Sequence, residues 1–274
     1  MHASHPELSH FVARVEQSFD REDPQSFWTL QDDFIALLRS GFPAAALNNE
    51  LAQLAQNPAY QGDWQTNQLV LHRARGWALA LWLYERPRRY LHSTPYYGML
   101  APLGDDCLHY EVYELPADHR NEVFDPAQRL SPAGAGLVGP GGVLLLHSDR
   151  QVYDFRSARP CVTLKFTTAA VQPMEWLFAR DTLYAVQAND STLDSTQLRV
   201  AAYTLGRLAH PSSREPLEYL SRHAHHAVRW AAVRNLAQID REAALAGLER
   251  MSVDPHPHLR RAAAETLRRA RREV

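Results

Sequence analysis

The sequence predicts an α+β fold in three parts: an N-terminal helical cap, an antiparallel β-barrel and a short α-helical solenoid. Three observations indicate this order. Apolar residues recur at helical spacing over the first 60 residues, short runs rich in β-branched and aromatic residues follow, and the chain becomes rich in Ala, Leu and Arg after Ala188. We therefore expect two domains, with cap and barrel in residues 1–188 and the solenoid in residues 189–274.

The composition is that of a soluble globular protein. The 274 residues are 45% hydrophobic and 22% charged, and the net charge of −2 provides no overall attraction to nucleic acid or membrane. The chain has no apolar run of the roughly 18 residues that a membrane-spanning helix needs. Its start also lacks a basic segment followed by an apolar core. We expect a cytoplasmic protein that uses neither membrane nor nucleic acid as its partner, with Cys107 and Cys161 as buried free thiols.

Three apolar faces predict three helices in the cap. The faces consist of Leu8, Phe11, Val12, Val15 and Phe19; of Phe27, Leu30, Phe34, Leu37 and Leu38; and of Ala44, Leu47, Leu51 and Leu54. Gly41 is suited to end the second helix and Pro43 to open the third.

Six short runs predict strands of an antiparallel sandwich or barrel. They cover residues 67–72, 77–84, 107–115, 142–147, 152–155 and 161–167. Residues 73–76 resemble a hairpin turn. Residues 132–142 contain five glycines and two prolines and predict a loop.

The C-terminal part is repetitive. Leu205, Leu236 and Leu267 lie 31 residues apart, and Ala201, Ala232 and Ala263 keep the same spacing. A period near 30 is typical of helix pairs that stack into a solenoid. The segments 228–236 and 259–267 resemble HEAT repeats of the short bacterial type. This resemblance implies that the repeats bind a protein partner.

The order of motifs in residues 66–168 resembles the cupin superfamily, and within it the thiol dioxygenases such as cysteine dioxygenase. The resemblance is carried by Ala-Leu-Trp-Leu-Tyr-Glu-Arg-Pro at 80–87, by His-Ser-Thr at 92–94 with Gly98 and Gly104, and by a closing strand pair within 152–166. It implies a jelly-roll barrel with a mononuclear Fe(II) held by three histidines, two of them from a His-x-His pair.

The metal-ligand motif is degenerate in this chain. The first family histidine corresponds to His92, but Thr94 stands at the second position and the third falls near Arg150. Hydroxyl and guanidinium groups do not replace imidazole as iron ligands. The family's substrate arginine falls near Thr66, and its Ser-His-Tyr relay falls near 163–167. We therefore do not expect a standard thiol dioxygenase.

An altered metal site remains open. His92, His147 and His109, with Glu111 two residues further along the same strand, provide imidazole and carboxylate donors for Fe(II) or another divalent metal. The other interpretation is that these are ordinary strand histidines and that no metal is bound. The turns at 223–226 and 256–258 are also rich in histidine, which suits either zinc or a solvated loop.

Five residues are candidates for binding a small molecule in the barrel. Arg86 precedes the His92 motif and could meet an anion at the barrel mouth, and Arg150 lies at another strand end. Tyr96, Tyr97 and Tyr110 would give an aromatic lining, which suits an organic ligand as well as plain core packing.

Two functions follow from these observations. One is a divergent cupin–HEAT protein that binds a small molecule in the barrel or a protein partner through the repeats. The alternative is a cupin-type metal-dependent oxygenase with an altered ligand set.

Overall fold

The computed structural model describes residues 5–57, 59–85, 88–156 and 159–272. The chain forms two compact units: residues 1–119 with 125–188, and residues 120–124 with 189–274. The predicted domains, residues 1–188 and 189–274, stay a prediction.

The first unit begins with three helices. They are α1 (Pro6–Ser18), α2 (Gln31–Arg39) and α3 (Phe42–Gln56), with a 3-10 helix at Pro24–Leu30 between α1 and α2. Gly41 joins α2 to α3 with φ of 76°, a left-handed conformation that glycine adopts without a steric penalty.

Twelve strands follow in the described residues. They are β1 (Trp64–Gln65), β2 (Gln68–Ala74), β3 (Trp77–Tyr84), β4 (Leu91–His92), β5 (Gly98–Pro102), β6 (Leu108–Glu114), β7 (Ser131–Val138), β8 (Leu144–Leu146), β9 (Gln151–Arg156), β10 (Cys161–Thr168), β11 (Met174–Phe178) and β12 (Ala185–Asp190). The sheet orders are β1-β2-β3-β10-β5-β8, β12-β11-β4 and β7-β6-β9. A bridge between Ser93 and Val152 links the last two sheets through β4 and β9. The predicted α+β class, with helices before antiparallel sheets, is confirmed.

The two faces of the six-stranded sheet have different surroundings. Leu164 and Phe166 of β10 are fully buried in a core with the cap helices, next to Phe11, Phe27 and Phe34. Successive side chains of a strand point to opposite faces. Thr163 and Lys165 therefore point away from the cap, and the site described below lies on that side.

The predicted loop at 132–142 is wrong for its first half. Residues Ser131–Val138 form β7, which pairs along the whole of β6. Glycine is required at position 136 because a Cβ there would lie 2.5 Å from the phenol of Tyr110. One of the glycines that suggested a loop therefore gives space to a ring on the neighbouring strand.

The second unit is helical. Its helices are α4 (Leu193–Leu208), α5 (Arg214–Leu220), α6 (His226–Leu236), α7 (Arg241–Met251) and α8 (Pro257–Ala270), with a 3-10 helix at Pro211–Ser213. Of the alanines predicted to repeat, Ala232 and Ala263 are fully buried between helices, and so is Leu236. Ala201 is exposed, and its neighbour Ala202 is buried instead. No helix in the described ranges has the length and apolarity to cross a membrane.

Candidate functional site

The candidate site is a cavity of about 160 Å³ in the first unit. Strands β2, β3, β8 and β10 border it on one side, and β4 and β9 border it on the other. The aromatic lining consists of Trp82, Tyr84, Tyr90, Tyr96, Tyr153 and Phe155. The polar and charged lining consists of Asn67, Glu85, Arg88, His92, Thr94, Asp154 and Lys165.

Lys165 is the cation inside this cavity. Its register on β10 places it opposite Ala80 of β3 and Leu100 of β5, and only 7% of the residue is exposed. The Nζ donates a 2.6 Å hydrogen bond to Tyr96 Oη. It also lies 4.6 Å from the ring centroid of Trp82 and 4.7 Å from that of Tyr96. The distance to Trp82 is that of a cation–π contact, so one ring face covers the ammonium, whereas the bond to Oη places Nζ at the hydroxyl end of the Tyr96 ring.

No carboxylate in the described part of the chain forms an ion pair with Lys165. Buried charges in proteins are normally paired, because an isolated charge in a low-dielectric environment is costly. Asp154, the buried acid on the same cavity wall, is already engaged by two guanidinium groups. Arg180 contacts both of its oxygens, at 2.5 and 2.7 Å, and Arg156 Nε lies 3.0 Å from Oδ2. The cavity therefore contains an uncompensated positive charge.

Lys165 is also the only lysine in the chain, which has 28 arginines. Sequence reasoning placed it near the family's relay position but gave it no role. This single lysine, among so many arginines, was the signal that could have identified it.

Two other residues of the β unit have shifted pKa values. The pKa of Arg156 is raised because Asp154 accepts its hydrogen bond, and burial raises the pKa of Tyr84 well above its ordinary value.

The predicted metal ligands do not come together. His92 lies on the cavity wall, with its Nδ1 3.0 Å from Glu175 Oε1, so Nδ1 carries the hydrogen and donates it. His147 packs its ring 4.7 Å from that of Trp28 in the cap, and His109 is exposed on β6. Burial lowers the pKa of His147. Among the described residues, no group of three His, Cys, Asp or Glu side chains could hold a metal ion.

The cavity residues do not fit a three-histidine iron centre. One imidazole, that of His92, faces the cavity, and Thr94 stands where the family has its second ligand. The Lys165 ammonium shares this space, and its positive charge opposes a cation there. The altered set of His92, His109 and His147 fails for a different reason, since the fold gives the three rings separate surroundings.

Of the five predicted ligand-binding residues, Tyr96 lines the cavity. Tyr97 points the other way, into the core below the cap, because it is the next residue in an extended segment. Tyr110 packs in a smaller cluster at the end of the sheet. Arg150 is exposed in the turn before β9, and Arg86 lies outside the described residues.

A second group of polar residues lies in the helical unit. The rings of His226 and His256 stack at 3.9 Å with an angle of 6°, and His225 stacks on His226 at 5.0 Å. His256 Nε2 donates to the carbonyl of Glu122, at 2.8 Å, which ties the segment 120–124 to this unit. Burial and the neighbouring His256 lower the pKa of His226 to about 4. This stack is a packing contact between three histidine rings.

Comparison with known proteins gives one family. Residues 188–268 match the family of HEAT repeats. A search of curated proteins gives no match.

The chain is also similar to solved structures of low identity. Hydroquinone 1,2-dioxygenase PnpCD, in complex with Cd²⁺ and 4-hydroxybenzonitrile, is 18% identical over 45% of this chain and 71% of its own, with a TM-score of 0.31. The DMSP lyase DddQ from Ruegeria pomeroyi is 13% identical over 63% of this chain and 96% of its own, also with a TM-score of 0.31. A sugar phosphate isomerase of the cupin superfamily from Silicibacter pomeroyi is 13% identical over 50% and 89%, with a TM-score of 0.26. At such TM-scores we transfer no activity from these proteins. The HEAT-repeat match agrees with the repeats predicted in the C-terminal part, and the β unit consists of antiparallel sheets.

Proposed function

We propose that the β unit binds a small carboxylate in its cavity and that Lys165 is the counter-ion. One observation supports this proposal above all: within the described residues, the buried ammonium group has hydrogen-bond and ring partners but no acidic one. A ligand carboxylate at Nζ would supply the missing charge, and charge-assisted hydrogen bonds of this kind are about twice as strong as neutral ones.

The other side chains that line the cavity indicate the size and polarity of the rest of the ligand. Trp82, Tyr84 and Phe155 offer aromatic surface, and Leu91 and Leu146 add aliphatic surface. A volume of about 160 Å³ equals that of about five water molecules at roughly 30 Å³ each. The ligand class is therefore a small acid with a short aliphatic or aromatic body. The exposed Arg88 and Glu85 lie at the border of the cavity and would meet its polar substituents.

The alternative function, a metal-dependent oxygenase, has less support. It needs a cluster of imidazole or carboxylate donors around one point, and the cavity instead presents one histidine beside an ammonium group. We propose a binding protein, and the metal question has its own test. Elemental analysis after anaerobic Fe(II) reconstitution should give no stoichiometric iron that depends on His92 or His147. If the wild type binds stoichiometric iron and both His92→Ala and His147→Ala lose it, the oxygenase function is supported instead.

The binding proposal is tested with pairs of acids and amides. Small aliphatic and aromatic monocarboxylates are compared with their primary amides by thermal shift and calorimetry on the full chain. We expect acids to bind and amides of the same shape not to bind. Lys165→Met, which keeps most of the side-chain volume, should abolish acid binding. Equal binding of acid and amide, or acid binding that survives Lys165→Met, would contradict the proposal.

The helical unit supports a second binding function. Helices α4 and α6 border a groove of about 580 Å³. Its floor contains Val200 and Ala231, and Tyr203 is 59% exposed beside them. Arg207 and Arg234 line the same groove, and neither forms an ion pair within the described residues. We propose that this groove binds an acidic peptide segment of a protein partner. The apolar floor favours a peptide over a nucleic-acid backbone, which offers phosphates but no apolar side chains.

A further inference from the structure

We propose that Lys165 forms an imine with its ligand, and that the ligand is a small 2-oxo acid. This inference rests on the proposed carboxylate site and specifies its substrate class. Binding a carboxylate needs only the positive charge of Lys165. Imine formation adds a covalent step at the same nitrogen.

The choice of lysine is the first support. If the cavity needed only a cation for a carboxylate, arginine would serve better, because its planar guanidinium binds carboxylates through two parallel hydrogen bonds. The chain uses arginine at all 28 of its other strongly basic positions. A primary amine can attack a carbonyl carbon, whereas a guanidinium group does not play this part in proteins. The one lysine lies in the cavity, buried and without an acidic partner in the ranges that the structure describes.

The placement of Nζ is the second support. A carboxylate drawn to the ammonium places an adjacent carbonyl carbon next to the same nitrogen, which is the positional advantage that intramolecular reactions have. In a 2-oxo acid these two groups are neighbours. An isolated aldehyde or ketone lacks the charged group that would bring it to Nζ.

The step balances without an outside reagent. The ammonium and the carbonyl give a protonated imine and water: the C=O bond breaks, a C=N bond forms, and the oxygen leaves as water with two of the three nitrogen-bound hydrogens. Nζ carries the positive charge in the reactant and in the product, but it must release a proton before it attacks, because an ammonium nitrogen has no free electron pair. A base in the cavity takes this proton and returns it to the departing oxygen, so no outside reagent is consumed. The ring of Trp82 stabilises the cation in both end states.

Two side chains are placed to move protons during this step. Tyr96 Oη lies 2.6 Å from Nζ and can take a hydrogen bond from the amine as it attacks. His92 lines the same cavity, and Glu175 holds its hydrogen on Nδ1, so Nε2 has a free electron pair that can take the proton from Nζ and return it to the departing oxygen.

The test is reductive trapping on the full chain. The protein is incubated with pyruvate, 2-oxobutyrate, glyoxylate or phenylpyruvate, reduced with cyanoborohydride, and analysed by intact mass and peptide mapping. Free Nα-acetyl-lysine in the same solution gives the intrinsic reactivity of an exposed amine. We expect at least one 2-oxo acid to modify Lys165 about tenfold or more faster than the free amine, since the ligand is held at the amine.

Each outcome is decisive. No modification of Lys165 by any of the four acids, or modification no faster than that of Nα-acetyl-lysine, overturns the imine. Because this comparison uses the wild-type chain, it does not depend on the folding of a variant. If carboxylates bind in preference to amides while trapping fails, the imine proposal is contradicted and the carboxylate site is supported. If acids neither bind nor become trapped, both proposals fall. Lys165→Arg should keep acid binding and lose trapping.

Discussion

The Nζ of Lys165 donates a 2.6 Å hydrogen bond to the hydroxyl of Tyr96, and the ring centroid of the same tyrosine lies 4.7 Å from that nitrogen. These two distances place Nζ at the hydroxyl end of the ring, where Tyr96 serves the buried cation as a hydrogen-bond acceptor. The ring of Trp82 covers the cation, at 4.6 Å. This arrangement accommodates a positive charge without neutralising it, which is the property that an anion site needs.

Removing the hydroxyl of Tyr96 should destabilise the β unit. Tyr96→Phe keeps the ring but leaves a buried ammonium donor without an acceptor, which costs about 1–3 kcal/mol. Tyr97→Phe is the matched control, because the hydroxyl of Tyr97 accepts only a long bond of 3.4 Å from Gln25. Urea unfolding measures both. Equal losses in the two variants would mean that the bond to Lys165 has no special role.

The buried carboxylate of Asp154 should be the costliest single charge to remove from the β unit. It is 5% exposed and lies between Arg180 and Arg156, so Asp154→Asn leaves the Arg180 guanidinium without its carboxylate, while Arg156 keeps its ion pair with Glu111. Breaking a buried pair in this way typically costs about 3–5 kcal/mol. The exposed pair of Arg120 and Glu122 is the control, and Glu122→Gln should cost less than about 1 kcal/mol. A small effect of Asp154→Asn in urea unfolding would contradict this account of the network.

Acid should weaken the helical unit through His226. Its folded-state pKa is about 4, below the ordinary 6.5, because burial disfavours the imidazolium, and His256, His225 and Arg229 repel it. Asp190 acts in the opposite direction. A lowered folded-state pKa means that the unfolded chain binds the proton first as the pH falls. The contribution to stability is therefore complete above pH 6.5, is lost progressively down to about 4, and does not change below that.

The pH dependence can be assigned with two variants. His226→Asn should flatten the loss of stability between pH 6.5 and about 4 in urea unfolding. His210→Asn, at an exposed histidine of the same unit, should leave the curve as in the wild type. If His210→Asn flattens the curve and His226→Asn does not, the stacked histidines are not its origin.

The groove of the helical unit should select acidic peptides. A random peptide library selected on the full chain should yield sequences that combine Asp or Glu with apolar residues. Reversing two charges with Arg207→Glu and Arg234→Glu should weaken a selected peptide about tenfold or more. The control pair Arg222→Glu and Arg241→Glu makes the same net charge change at exposed positions elsewhere in the unit.

Two results would contradict the peptide proposal. One is a selection without acidic preference, or with affinity lost equally in both double variants. The other is tighter binding of an oligonucleotide than of any selected peptide, with the same dependence on Arg207 and Arg234, which would make the groove a nucleic-acid site.

Much of the fold could be predicted because it depends on short-range patterns. The apolar periodicity of residues 8–19 gave the first cap helix, and the 31-residue spacing gave the helical repeats, whose small residues are buried where helices meet. Strand β7 was missed because its sequence is Gly- and Ala-rich. Gly136 is needed in this strand because the ring of Tyr110 on β6 lies against it. The sequence of the segment alone does not reveal this contact.

The site could be predicted only in part, for a related physical reason. Strand β10 is buried almost throughout, so alternation of polar and apolar residues does not mark the face that borders a cavity. Lys165 stands between Leu164 and Phe166, both fully buried on the cap side. Its environment depends on β3 and on the segment before β5, which lie more than 60 residues earlier in the chain. The histidines His109 and His147, by contrast, were suggested by residue type alone, and the fold separates them.

The most direct measurement uses the single lysine. Protein labelled with ¹⁵N only in lysine gives one side-chain Nζ signal, that of Lys165. Titration with the small monocarboxylates and their amides then reports binding at this atom. We predict a saturable change in the Nζ signal with at least one acid and none with its amide. An Nζ signal that stays unchanged when an acid binds, or that changes equally with acid and amide, would contradict the assignment of Lys165 as the counter-ion.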